Sequence, residues 1–266
     1  MRLELNGETV FIGTGSRPLA DADAPSVVFL HGAGMDHTVW VMPARYFARQ
    51  GFRVIAPDLP GHGRSSGAAL DSVDAMADWL SELAATLKIS SMAVVGHSMG
   101  SLIACTLAAR RPELVRQLIL LGTSAPMPVT ERLLDAARDN HPAAVAMANT
   151  WSHARGRLGG NENPGMWMMA GGARLIERSH PGVFHTDLAA CNAYDPAVIE
   201  QISAPALVIT GSTDQMTSPA AGRRVFDALA LRAEAHLVEL PGSGHSMLSE
   251  YPNEVLDALA GALIDG

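Results

Sequence analysis

The chain is short of cysteine, of charge and of long apolar runs, and each shortage removes a class of protein. Cys105 and Cys191 are the only cysteines in 266 residues, too few for a disulfide framework. Cys105 falls inside an apolar helical pattern, which predicts a buried, reduced and inert thiol. Charged residues make up 17% of the chain and the net charge is −8. That balance leaves no broad basic surface, so nucleic acid is not an expected partner. No window approaches the ~18 consecutive apolar residues of a membrane span. Met1-Arg2-Leu3-Glu4-Leu5 alternates like a strand instead of opening the apolar run of a secretion signal. A reducing cytoplasm is the compartment these absences point to. Metal and nucleotide signatures are missing too. There is no H-E-x-x-H, no Cys/His cluster, and no complete G-x-G-x-x-G or Walker loop. The sequence implies no metal and no cofactor.

What remains is 48% apolar, enough for one large core at a length where a second layer or subdomain begins to appear. Asn6-Gly7 between two short runs reads as a two-residue hairpin turn. From there strand-like runs alternate with helical patterns. The strands are Ser26–Leu30, Arg53–Ala56, Ala93–Gly96, Val115–Leu121, Ala206–Thr210 and Ala235–Leu240. The helices are 39–50, 73–87, the run after Ser98, 219–229 and 253–264. This rhythm predicts a parallel sheet wrapped by helices, with binding residues on loops at the carboxyl ends of the strands. It breaks once. A parallel crossover needs only about a dozen residues, yet residues 126–197 separate two successive strands and are rich in Met, Ala and Gly. They read as an inserted, mainly helical cap, so that 1–125 and 198–266 form the two parts of one α/β core.

The chemistry concentrates at Gly96-His97-Ser98-Met99-Gly100. A β-branched run stops at Gly96 and an Ala/Leu/Ile-rich helix begins directly after Ser98. Such a turn leaves Ser98 at a cramped tip, and glycines two residues on either side remove the Cβ atoms that would collide. The new helix aims free N–H groups back at the serine. Gly63-Arg64-Ser65-Ser66-Gly67 matches the same G-x-S-x-G pattern, but no strand leads directly into it and no apolar helix follows. Ser65 is therefore read as a loop serine and Ser98 as the nucleophile.

A serine hydroxyl needs a base held in one tautomer. Of ten histidines, His245 stands on a glycine-bearing loop directly after the last strand. His31 and His62 occupy other strand-end loops that they could order by hydrogen bonds, and His97 is expected to pack beneath the turn. Asp214 follows the strand ending at Thr210 and lies between Ser98 and His245 in the chain. Its rival, Asp58, opens a turn-rich stretch where hydrogen bonds to backbone suffice to explain it. The oxyanion needs two backbone donors, expected from Met99 and from Ala33 in His31-Gly32-Ala33-Gly34.

These residues carry a resemblance. His31-Gly32, the stretch Asp58-Leu59-Pro60-Gly61-His62-Gly63-Arg64-Ser65, the Ser98 pentapeptide, Gly211-Ser212-Thr213-Asp214, and Gly244-His245 with Glu250-Tyr251-Pro252 after it span nearly the whole chain, apart from the cap, in the order of the α/β-hydrolase fold family. The resemblance implies an eight-stranded, mostly parallel sheet and a Ser98–His245–Asp214 triad. Many members carry a second glycine where Ser101 stands. A serine nucleophile disfavours the aspartate-using branches, the haloalkane dehalogenases and epoxide hydrolases. The expectation is a serine hydrolase acting on a small or medium, largely apolar carboxylic ester, a small-molecule substrate. Carbon–carbon bond hydrolysis and acyl transfer would use the same apparatus, and a non-catalytic small-ligand receptor is the alternative of another class.

In the cap, Trp151, Met166, Trp167 and Met169 suit an irregular apolar pocket over Ser98; packing of the cap onto the core would equally account for them. Arg155, Arg157, Arg174 and Arg178 could hold a substrate carboxylate or be solvated.

Overall fold

Asn6 and Gly7 both take positive φ, 53° and 81°, as a two-residue hairpin turn with right-handed strand twist requires. The computed structural model describes residues 1–19, 21–139, 141–154 and 168–264. The turn pairs β1 (Arg2–Leu5) antiparallel with β2 (Glu8–Gly13). Six further strands follow: β3 (Ser26–Leu30), β4 (Arg53–Pro57), β5 (Met92–His97), β6 (Val115–Leu121), β7 (Ala206–Gly211) and β8 (Ala235–Leu240). They complete one eight-stranded sheet in the order β1-β2-β4-β3-β5-β6-β7-β8. All pairings after β2–β4 are parallel. The expected eight-stranded, mostly parallel sheet is what the chain forms.

β3, β4 and β5 are buried at every position, which explains their unbroken apolar runs. Alternate residues nonetheless serve different layers. Val28, Leu30, Val94, Leu118 and Val208 pack with α2 (Val73–Thr86), α3 (Met99–Arg110) and α8 (Pro219–Ala230). Val27, Phe29, Val95, Ile119 and Ile209 point the other way, onto α1 (Val41–Arg49) and α10 (Pro252–Ile264). The remaining helices are α4 (Glu131–Arg138), α5 (Pro142–Ser152), α6 (Met168–Arg178) and α7 (Val183–Asn192), all between β6 and β7, and the short α9 (Met247–Glu250). Of the first four, α4, α5 and α7 form a small cluster of their own around Leu133, Ala137, Ala144 and Leu188. The pattern expected as one helix over 39–50 divides into a 3₁₀ turn, His37–Trp40, and α1, because Asp36 caps the turn through Thr38 N–H at 2.8 Å. Among the described residues no helix is long and apolar enough to cross a membrane.

Order β3-β5-β6 at the centre of the sheet decides where chemistry can occur. The carboxyl end of β5 is flanked by those of β3 and β6, so the loops beginning at His31 and Gly122 border the residue after His97. Beneath them, an aromatic group fixes α1 against the sheet. The Phe47 ring lies 6.1 Å from Phe29 and 5.3 Å, edge-on, from Phe52, and Phe47 is fully buried. Phe47→Ala is expected to lower the unfolding free energy by about 3–5 kcal/mol, read by urea denaturation. A loss below about 1 kcal/mol would show that this layer does not hold the sheet as described.

Candidate active site

One residue separates β5 from α3, and it is Ser98. Its φ of 55° and ψ of −123° lie in a region L-residues avoid, at a cost of about 1–3 kcal/mol. The surroundings enforce it. Ser98 N–H donates to Leu121 O at 2.9 Å, fixing the strand side, and Ser98 O accepts Ser101 N–H at 2.8 Å on the helix side. A Cβ on Gly96 would stand 2.2 Å from Gly100 O, and one on Gly100 would stand 2.3 Å from Leu30 O. The flanking glycines are there for close approach. Ser101 suits its place: its buried hydroxyl donates to Ser98 O at 2.6 Å and lies 2.9 Å from Thr123 Oγ1. The other pattern match is a loop serine, since Ser65 Oγ donates to Asp58 O at 2.7 Å and accepts Phe11 N–H at 2.9 Å.

The structure brings His245 and Asp214 together, with Nδ1 of His245 2.8 Å from Asp214 Oδ2. Thr217 Oγ1 donates to the same oxygen at 2.8 Å, and the N–H groups of Met216 and Thr217 reach Oδ1 at 2.8 Å each. Burial pushes the Asp214 carboxyl up, but His245 and these donors outweigh it and hold the group below the usual carboxylate range. Gly122 lets the ring sit close, because a Cβ there would come within 3.0 Å of His245 Cε1 and Nδ1. Asp58 is spent elsewhere: Oδ1 accepts His37 N–H and bonds His37 Nδ1, both at 2.7 Å, while Oδ2 accepts Arg64 N–H at 2.9 Å.

Three other buried histidines order this region, and their partners define their protonation. His97 Nε2 faces the carbonyl of His245 at 2.9 Å and donates to it. Burial, reinforced by the nearby His245, pushes its pKa down to about 3. His31 accepts Leu59 N–H on Nε2 at 3.2 Å and donates from Nδ1 to Gly32 O at 2.9 Å. Burial and the neighbouring His62 lower it to about 4. His62 differs. Both nitrogens face acceptors, Pro60 O at 3.0 Å and Asp187 Oδ2 at 2.8 Å, which suits an imidazolium. Burial opposes that charge, but Asp187 wins and the pKa is raised.

Ser98 and His245 line one cavity of about 60 Å³ with Gly32 and Ala33 at its floor. Val129, Ala148, Ile176, Phe184 and Leu188, from α5, α6, α7 and the chain before α4, close over it, and Met35, Met127 and Met216 complete the wall. The wall is apolar and rich in thioethers, but Trp151 and Met169, two of the side chains expected to supply it, are elsewhere. Trp151 packs into the cluster formed by α4, α5 and α7. Met169 is half-buried, with its carbonyl accepting from Asn149 at 2.8 Å. Neither lines the cavity, because the rotation of α5 and α6 presents Ala148, Ser152 and Ile176 there instead. Met166, Trp167, Arg155 and Arg157 lie outside the described residues. Arg174 is exposed and pairs with Glu177 at 2.8 Å. Arg178 pairs with Asp36 and lines, with Arg64, a separate polar cleft of about 290 Å³ that meets the Ser98 cavity at Met35. Asp36, His37 and Asp58 bring ligand-type atoms within 4.8 Å of one another, and those atoms are engaged by Thr38, Arg178, Arg64 and each other. Cys191 lines the cavity and Cys105 the core; burial raises both thiols, which keeps them unreactive.

Gly32–Met35 is a β-turn closed by Met35 N–H to Gly32 O at 3.2 Å, with Gly34 at φ 66°. Among the described residues, the N–H groups of Ala33 in that turn and of Met99 at the start of α3 donate to no protein acceptor. The loop bearing His245 is held by Glu250, buried, whose carboxylate accepts Gly244 N–H and Ala154 N–H at 2.8 Å each. Sequence reasoning does not reach the roles of Thr217, Gly122 and Asp187, and it meets Glu250 only as part of the family resemblance.

A serine elbow at the centre of such a sheet, with a His–Asp pair on the last two strand-end loops, defines the α/β hydrolases. A profile described as alpha/beta hydrolase fold matches residues 25–148. The chain is 32% identical over 260 residues to the pimeloyl-[acyl-carrier protein] methyl ester esterase of Chromobacterium violaceum, covering 89% of this chain and 93% of that one. It is 27% identical over 227 residues to the (E)-2-((N-methylformamido)methylene)succinate hydrolase of Acinetobacter baylyi, covering 80% and 84%. Among solved structures, an enol-lactonase from Burkholderia xenovorans superposes with a TM-score of 0.83 at 25% identity, over 100% of this chain and 98% of that one. The chain belongs to the α/β-hydrolase family and is a hydrolase.

The buried histidines give the fold a definite response to acid. The folded pKa values of His31 and His97 are lowered, so below about pH 6.5 the unfolded chain binds protons that the folded one refuses. Stability therefore falls with pH through this window. His62 acts oppositely: its contribution is complete below about pH 6.5 and is lost as pH rises through its raised folded value. Between pH 5.5 and 4.5 the two neutral rings are expected to lower the unfolding free energy by about 2 kcal/mol, measured by urea denaturation at each pH. A flat profile there would mean that these rings are protonated in the fold.

Proposed function

We propose that the protein is a serine esterase for small carboxylic esters, with Ser98 as nucleophile, His245 as general base and acid, and Asp214 as the group that orients His245. The observation that carries this is one small apolar cavity bordered by both the strained Ser98 and the ring of His245, with Asp214 on the far nitrogen of that ring. Asp214, held ionised, fixes the proton on Nδ1 and leaves Nε2 to take the Ser98 proton. Ser98 Oγ then attacks the ester carbonyl. The tetrahedral oxyanion is held by Ala33 N–H and Met99 N–H, donors with no competing protein partner, one of them at a helix start where the dipole favours negative charge. Collapse breaks the C–O bond, His245 returns the proton to the leaving alcohol, and water repeats the sequence on the acyl-enzyme.

Residues 126–197 act in this reading as a cap that excludes water and sets substrate size. That two relatives are a methyl ester esterase and an enol-lactonase supports ester-type bonds. The cavity of about 60 Å³ is well below the roughly 300–1,000 Å³ usual for drug-sized ligands, which supports a short acyl group.

Ser98→Ala is expected to lower kcat on p-nitrophenyl acetate by about 10⁴-fold or more, and a fluorophosphonate should label the wild type stoichiometrically at Ser98. Wild-type rates in Ser98→Ala would refute the serine mechanism, and an unlabelled protein would favour a receptor. Along a series of p-nitrophenyl esters, kcat/KM should fall by about tenfold or more from acetate to decanoate. A preference for decanoate would contradict the size limit.

A further inference from the structure

Asp187 is wholly buried on α7, yet it serves no group in α7. Its Oδ2 accepts Gly34 N–H at 2.7 Å and His62 Nε2–H at 2.8 Å, across 153 and 125 residues of chain. We propose that Asp187 is a positioning residue for the oxyanion hole: through Gly34 N–H it holds the Gly32–Met35 turn in the conformation that presents Ala33 N–H to the Ser98 cavity, with His62 as its counter-ion. The inference rests on the role assigned to Ala33 above.

The turn itself shows why an outside acceptor is needed. Ala33 and Gly34 are its two central residues, and Gly34 at φ 66° is the left-handed third position of a type II turn. The turn's own hydrogen bond uses Met35 N–H and Gly32 O. It leaves Gly34 N–H unsatisfied and does not fix the central Ala33–Gly34 peptide, whose flip converts one turn type into another. An ionised carboxylate on that N–H fixes the plane with a charge-assisted bond, about twice as strong as a neutral one. The charge on Asp187 is matched by His62, whose two nitrogens both face acceptors. The His62 ring in turn lies 4.9 Å from that of His31, which bonds Gly32 O at the other end of the turn. Phe184, one turn earlier on α7, abuts Gly34 so closely that a Cβ there would stand 2.8 Å from its ring. Thus α7 seats on the turn at two points, one apolar and one charged. A carboxylate retained only to stabilise the fold would not need to grip the peptide next to the donor.

The test compares wild type, Asp187→Ala and Asp187→Asn by kcat and KM on p-nitrophenyl acetate and by affinity for a trifluoromethyl ketone, which places an oxyanion in the hole. Asp187→Ala should lower kcat by about 30-fold or more, within the 10²–10³ limit for a lost oxyanion donor, with KM changed by less than about threefold. The ketone should lose affinity by a similar factor. Asp187→Asn keeps an acceptor for Gly34 without the charge and should lose about three- to tenfold in both readouts. If Asp187→Ala does not fold, Asp187→Asn decides alone by the same two readouts. Variants that keep kcat and ketone affinity within about twofold of wild type, whatever their melting temperature, would overturn the proposal. If the wild type itself binds the ketone no more tightly than substrate, the oxyanion reading fails first and takes the proposal with it.

Discussion

Ser98 is the residue on which the surrounding structure closes. Its positive φ is unfavourable in isolation, and it persists because a central strand and a buried helix are both attached to it without a spacer. Leu121 on the neighbouring strand takes its N–H. Gly96 and Gly100 allow α3 to lie against β3 and β5 at distances no Cβ would tolerate. The strain stored at one residue is small beside the burial of β5 and α3, which is why the sheet can impose it. In return the hydroxyl is carried clear of the backbone, into the space between the loops after β3 and β6. The strand order does the rest. Because β3 and β6 are the neighbours of β5, their outgoing turns supply Ala33 and Gly122. Because β7 and β8 follow in sequence, Asp214 and His245 arrive side by side.

Much of this could be read from residues alone, for identifiable reasons. Strands buried on both faces show as unbroken β-branched runs, and a parallel sheet dictates that their carboxyl ends gather the site. The strand before Ser98 and the helix after it distinguish it from Ser65. A turn-opening aspartate such as Asp58 has backbone donors to satisfy, and Asp58 bonds His37 and Arg64 N–H. The cavity wall was less legible. Which of Ala148, Trp151 or Ser152 faces Ser98 depends on how α5 is rotated against its neighbours, and composition carries no record of that. A large side chain such as Trp151 finds more contact in the junction between helices than over a cavity. Contacts made across more than a hundred residues, such as Asp187 with Gly34, leave almost no local signature.

Those long-range polar contacts share a location. Asp187 reaches Gly34 and His62, Glu250 reaches Ala154, Ser246 N–H reaches Ser152 O at 2.7 Å, and Arg178 pairs with Asp36. Each joins the helices between β6 and β7 to a loop that borders the site. Apolar packing of Met127, Ala190, Cys191 and Tyr194 into the main core is joined by these directional bonds at the edges of the cavity. A buried charge that lost its partner would be costly, which makes the arrangement sensitive to single changes. It also explains the division of labour among the histidines. His31 and His97 are kept neutral and tie loops together, His62 has its pKa raised by Asp187, and His245 lines the cavity with Asp214 on its Nδ1.

In the proposed mechanism this geometry turns Ser98 into a nucleophile that carries the acyl group. Acid-quenching the enzyme during turnover of p-nitrophenyl acetate, followed by intact-mass analysis and peptide mapping, tests it directly. One acetyl group per chain, located on Ser98, is expected during turnover, with no adduct in Ser98→Ala. An acetyl group on another side chain, or turnover with no covalent adduct at any time, would contradict it.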